Sequence, residues 1–188
     1  MNTAGVAFAD RVVTDAGLRP GDRLILTGTV GDHGMAIMSR RHDLRLEGDL
    51  RSDVAPLNGL VRAALLAGGE DVVAMKDPTR GGVAGVLHEM AAKGKVGIVV
   101  EEAAVPIREE VRAASDMLGI DPLLVANEGK AVIGVRARSA GKVLAALRAW
   151  QSEPRLRQSF YYVATGGGAQ MPLTEAELDA LCRRLDVP

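Results

Sequence analysis

Residues 126–130, Ala-Asn-Glu-Gly-Lys, set an amide, a carboxylate and an ammonium beside a glycine, just before an apolar run. A carboxylate at a loop edge, partly desolvated, can act as a general base, and a nearby lysine can bind phosphate or hold that carboxylate ionised. The plainer reading is that Glu128 and Lys130 are solvated turn residues and Asn127 supplies the turn. Residues 77–82, Asp-Pro-Thr-Arg-Gly-Gly, form a second set between a short apolar strand and an amphipathic helix. Unpaired N–H groups and the positive dipole end at a helix start favour phosphate or carboxylate, and two glycines let a ligand approach closely. Ordinary turn chemistry also accounts for the same residues. Asp32 and His33 lie in a third glycine junction, Gly31-Asp32-His33-Gly34, where they either face a site or cap the following helix. His88 falls on the polar side of its helix and reads as solvated.

The elements that must position these groups follow from periodicity. Arg23 to Leu26 reads as a strand entered through the turn at Pro20-Gly21-Asp22, and Met35-Ala36-Ile37-Met38 begins a helix. Leu57, Leu60, Val61, Ala64 and Leu65 share one helical face, with Pro56 in the first turn. Val72 to Met75 is a short strand, and Val83, Val86, Leu87, Met90 and Ala91 recur at helical spacing up to Gly94. Val96 to Glu101 predicts a strand, Arg108 to Leu118 a helix stopped by Gly119, and Pro122 to Leu124 a helical turn. Ala131 to Val135 predicts a buried strand, and Ser139 a cap for a helix carrying Val143, Leu147 and Trp150. Strands alternating with amphipathic helices predict an α/β or α+β sandwich, a mixed β-sheet covered by helices, with the glycine junctions gathered at one sheet edge.

Composition narrows the function classes. With 23 basic and 24 acidic residues the net charge is −1, and only 3% of residues are aromatic. There is no basic footprint for nucleic acid or a membrane surface and no stacking platform for bases. No run approaches the roughly 20 apolar residues needed to span a bilayer, and no secretory signal layout is seen. The single cysteine, Cys182, cannot form an internal disulfide, which predicts a reducing, cytoplasmic setting. The three histidines lack zinc-site spacing, so no transition metal is expected.

The segments Gly31-Asp32-His33-Gly34, Leu50-Arg51-Ser52-Asp53, Lys76 to Gly82, Val105 to Val111, Leu118 to Pro122 and Ala126 to Lys130 occur in an order and spacing that resembles HypE. This hydrogenase expression/formation family sits in the superfamily of aminoimidazole ribonucleotide synthetase. The likeness covers about residues 5–149. It implies a domain over 1–150 of the AIR synthase-related C-terminal type and a divergent tail over 151–188. In that tail, Ser159 to Ala164 predicts a strand, Thr165 to Gly168 a connector, and Thr174 with Glu177 a capped C-terminal helix.

The family's reaction is an ATP-dependent dehydration of a carbamoyl group on the protein's own C-terminal cysteine. It yields a thiocyanate whose cyanide later ligates the iron of a [NiFe] hydrogenase. By this resemblance Glu128 is the candidate base, Asn127 orients the amide and Lys130 supports charge. Asp77, Thr79, Arg80, Gly81, Gly82, Asp32 and His33 lie near the nucleotide phosphates, with Arg80 alternatively paired to Asp77. The resemblance also implies ATP and Mg2+ in the full-length family, a homodimer formed through the N-terminal domain, and as partners the carbamoyl transferase and the iron-carrying scaffold complex. This chain looks like the C-terminal domain with a short lead-in, so alone it is expected neither to bind ATP and Mg2+ tightly nor to turn over. Family members end in Pro-Arg-Ile-Cys, whereas this chain ends Cys182-Arg183-Arg184-Leu185-Asp186-Val187-Pro188. Two other readings compete: a catalytically silent domain that binds maturation partners, and an ATP-dependent synthetase or kinase relative acting on a small molecule.

Overall fold

The computed structural model of the chain describes residues 9, 11–43, 50–151 and 161–166. Strands β1 (Arg23–Leu26), β2 (Val72–Lys76), β3 (Gly97–Ile98), β4 (Val132–Val135) and β5 (Tyr161–Gly166) form a sheet in the order β2-β4-β1-β5-β3. Helices α1 (Asp32–Arg41), α2 (Asn58–Gly68), α3 (Gly82–Gly94), α4 (Glu109–Leu118) and α5 (Ala137–Gln151) surround it. The expected sandwich of helices on a sheet is present in its α+β form. The described strand pairs are all antiparallel, where strands of mixed direction were expected. Consecutive strands are not neighbours, so each helical crossover can return its strand in either direction, and periodicity carries no information on which.

Alternation along the strands fills both faces. Ile25, Ile133, Val135 and Val72 pack against Leu60 and Ala64 of α2 and Ala140, Val143, Leu144 and Leu147 of α5. Leu24, Leu26, Val132 and Ala74 point the other way, onto Val83, Val86, Leu87 and Met90 of α3. Val72 and Ala74 would share a face in a regular strand. The register shifts between them, Val72 opposing Val135 and Ala74 opposing Gly134, so Val73 is an extra residue and the bulge sends the two side chains to opposite cores. Gly17 lies against this bulge, where a Cβ would stand 1.9 Å from the Val73 carbonyl oxygen. Met35, Val111, Ala114 and Val125 form a satellite cluster joining α1 to α4.

Several local expectations shift. The first helix starts at Asp32 rather than Met35, and Pro56 precedes α2 instead of opening it. The left-handed position after α3 is taken by Lys95 at φ 53°, one residue past Gly94. The strand over Val96 to Glu101 contracts to Gly97–Ile98. Ser139 lies inside α5, not at its start, because its hydroxyl donates to Asp71 Oδ2 at 2.6 Å. The tail strand runs over Tyr161–Gly166 between β1 and β3. The glycines 167 and 168, the helix expected from Thr174 and Glu177, and Cys182 lie outside the described residues.

Candidate functional site

Antiparallel pairing sets Leu26 opposite Val132 and Lys76 opposite the same residue, so the chain leaves β1 and β2 and enters β4 at one end of the sheet. Residues 27–32, 77–82 and 126–130 meet there. Asn127 is the knot. Its side chain is fully buried: Oδ1 accepts the Gly31 N–H at 2.8 Å, and Nδ2 donates to the carbonyls of Val125 at 3.1 Å and Pro78 at 3.5 Å. Its backbone N–H donates to the Pro78 carbonyl at 3.0 Å, and its own carbonyl lies 3.2 Å from Thr79 Oγ1. Both ends of the amide are consumed within the chain. These bonds tie the three loops together.

Lys130 has only 1% of its side chain exposed. Its Nζ lies 3.2 Å from Asp32 Oδ2 and donates to Asp53 Oδ2 in a short contact. Thr29 Oγ1 donates to Asp32 Oδ2 at 2.6 Å. Asp32 Oδ1 is buried without a hydrogen bond, with Arg108 Nη1 at 3.5 Å as its nearest cationic neighbour. The lysine stem crosses Gly28, where a Cβ would stand 2.7 Å from Cε. A buried ammonium demands compensating carboxylates, and these two provide them. Lys130 accordingly faces inward, onto these two carboxylates.

Above this cluster lies the mouth. Glu128 keeps 36% of its side chain exposed, with Oε1 4.0 Å from His33 Nε2. The His33 Nδ1 stands 2.8 Å from Ser52 Oγ, and the Glu128 N–H donates to Asp53 Oδ1 at 3.4 Å. The structure thus brings together Glu128, His33, Asp32, Lys130 and Asn127. On the adjoining 77–82 turn, Thr79 Oγ1 lies 2.9 Å from Asp77 Oδ2, while Arg80 is exposed and makes no ion pair with Asp77 or any other described residue. Lys76, which leads into this turn, is drawn off by Asp15 at 3.0 Å and Glu89 at 2.7 Å, and that pairing raises its pKa.

The glycine pair works differently from the expectation. Gly82 is buried at φ 62°, and a Cβ there would stand 2.3 Å from the Leu123 carbonyl oxygen. Its bareness admits the backbone of residues 123–125, not a ligand. Gly81, also left-handed, is exposed and open on its outer side.

Sequence reasoning assigned no role to Ser52, Asp53 or Arg108. A signal existed for Asp53, since a lysine directly before a wholly apolar strand needs a buried acid, but nothing local says that the acid lies 77 residues earlier. Among the described residues no helix is long and apolar enough to cross a membrane, and no cluster of metal-ligating side chains occurs.

Residues 19–155 match the family described as AIR synthase related protein, C-terminal domain. The chain is similar to the carbamoyl dehydratase HypE of Rhizobium leguminosarum bv. viciae, at 47% identity over 152 residues, which are 79% of this chain and 43% of that protein. It is also similar to the crystal structure of hydrogenase maturation protein HypE in complex with ATP, at TM-score 0.75 and 38% identity, covering 84% of this chain and 46% of the other. The HypE of a HypE-HypF complex superposes at TM-score 0.72 and 40% identity, covering 82% and 48%. The chain spans less than half the length of these relatives.

Proposed function

The chain belongs to the AIR synthase related protein, C-terminal domain family, as the C-terminal domain of a HypE-type protein, and from that premise we propose that it forms the proton-accepting half of an ATP-dependent carbamoyl dehydratase site. In this reading the substrate is a cysteine-borne carboxamide, and the product a thiocyanate that serves hydrogenase maturation. The observation that carries the reading is the placement of residues 127–130. Asn127 and Lys130 are turned wholly inward, while Glu128 between them is half-buried and keeps its carboxylate partly in solvent beside His33.

The chemistry divides accordingly. When bound, ATP supplies the phosphoryl group that makes the carboxamide oxygen a leaving group. Conversion of the carboxamide carbon to a nitrile also requires the nitrogen to give up both protons. Glu128, half-buried and beside His33, is the group here that can take them one at a time, passing the first to solvent before it accepts the second. Arg80, exposed and without an ion pair among the described residues, fits a phosphate oxygen at the rim. Asp77 and Thr79 shape that turn. Asp32 and Asp53 are already balanced by Lys130, so they fit a structural role better than magnesium ligation. We assign Mg2+ binding to the rest of the protein. The chain alone then binds Mg-ATP weakly or not at all; micromolar affinity in a titration would contradict this division of the site. The partners in this reading are other maturation proteins, a carbamoyl transferase and an iron-carrying scaffold, with dimerisation through the remaining domain.

The test joins this chain to the ATP-binding domain of a HypE relative. Glu128→Gln should lower thiocyanate formation by roughly 100-fold or more, the scale of a lost general base, while ATP binding stays near the parent value. Normal cyanation by that variant sinks the assignment.

A further inference from the structure

We propose that Ser52 is a positioning residue for the Glu128 carboxylate, acting by fixing the tautomer of His33. The proposal rests on the reading of Glu128 as the base. Ser52 Oγ accepts the Val54 N–H at 3.3 Å and its hydroxyl proton has no other acceptor among the described residues, so that proton is free to point at His33 Nδ1, 2.8 Å away. An Nδ1 that accepts this bond leaves the ring proton on Nε2. Nε2 is the atom that faces Glu128 Oε1 at 4.0 Å. This tautomer points an N–H at a carboxylate oxygen, whereas the other sets a lone pair against it. Glu128 favours the proton on Nε2, and the Ser52 hydroxyl completes that arrangement by donating to Nδ1.

The consequence is directional. At 4.0 Å the N–H attracts Oε1 without a hydrogen bond, which favours the rotamer that turns Oε1 to the ring and leaves Oε2 for the proton of an incoming substrate. The neighbouring residue keeps Ser52 in place. Asp53 is held by Lys130 through Oδ2 and by the Glu128 N–H through Oδ1, and its carbonyl oxygen sits where a Cβ on Gly129 would stand 1.8 Å away. The loop that supplies the serine is thus locked to the loop that supplies the base.

The test begins with the full chain, labelled with 15N and held at about pH 8.5, where imidazole is ordinarily neutral. Long-range proton–nitrogen correlations report which ring nitrogen carries the proton, and His33→Asn identifies the resonances of His33 among the three histidines. The expected state is protonation at Nε2, its population shifted toward the Nδ1–H form in Ser52→Ala and restored in Ser52→Thr. In the two-domain protein, Ser52→Ala should slow dehydration about tenfold, the scale of a modest misplacement, and Ser52→Thr should restore it. An Nδ1–H tautomer in the parent chain, or a Ser52→Ala spectrum identical to it, overturns the proposal. If Glu128→Gln is inactive and Ser52→Ala fully active, Ser52 alone loses its role. Full activity in Glu128→Gln instead overturns the base assignment and Ser52's service to it together.

Discussion

The two ends of β4 carry similar charges in opposite arrangements. At its entry, the cation Lys130 is 1% exposed and sealed beneath Asp32 and Asp53. At its exit, Arg138 is 79% exposed and reaches inward to Asp71, donating from Nε at 2.8 Å and from Nη2 at 2.5 Å, while Arg136 donates to Asp22 Oδ2 at 2.6 Å. At the exit Arg138 is solvated while Arg136, Asp71 and Asp22 are largely covered, and the pairs fasten the start of α5 to the segments that lead into β2 and β1. Removing the solvated Arg138 costs little, because water takes its place beside Asp71. At the entry no water can take the place of a missing partner, so three loops are held in one arrangement or not at all. That rigidity is spent where Glu128 needs a fixed backbone.

The largest expected effect comes from emptying the buried cluster of its cation. Lys130→Met leaves two buried carboxylates facing each other and should destabilise the chain by about 3–5 kcal/mol, read by urea unfolding. Adding Asp32→Asn and Asp53→Asn should recover much of that loss. If Lys130→Met costs no more than Arg138→Met, the contrast between the two ends is wrong. Asn127→Ala sharpens it in a second way. It strands the buried Gly31 N–H and takes a donor from the Val125 carbonyl, and a loss of about 1–3 kcal/mol is expected, with Glu128 losing its fixed position and cyanation falling as well.

The smallest effect lies at the exit and appears only in acid. The Arg138 guanidinium, and then the Ser139 hydroxyl, hold the Asp71 carboxyl down from 3.8 to about 2. A group depressed in the folded state contributes stability that is complete above its unfolded value and is lost as pH falls toward the folded one. The parent chain should therefore lose this contribution between about pH 4 and pH 2. Asp71→Asn should be less stable near neutrality and show a flatter acid limb in the same range. An unchanged acid limb would remove Asp71 from the account.

Much of the fold is legible in single segments. The helical spacing of Val83, Val86, Leu87 and Met90 predicts α3 and its buried face, and Gly119 marks the end of α4 at φ 65°. The candidate site is legible as a set of residues but not as a set of roles. Glu128, His33 and the 77–82 turn are picked out by type and spacing, yet Asn127 and Lys130 look equally able to meet a substrate. Only contact with Gly31, Pro78, Asp32 and Asp53 turns them inward. Ser52 and Asp53 stand in a recognisable motif, but their roles are not legible because their partners are 19 and 77 positions away.

Local and periodic features are legible in the chain alone: which segments are helices or strands, which face each buries, and the motifs that resemble HypE. Which polar groups are left over depends on how the loops pack. Hydrogen bonding and charge neutralisation inside the chain claim Asn127, Lys130, Asp32 and Lys76 first, because a buried polar group without a partner is costly. Glu128 and Arg80 remain at the surface, and that remainder is a property of loops meeting in space rather than of any stretch read alone.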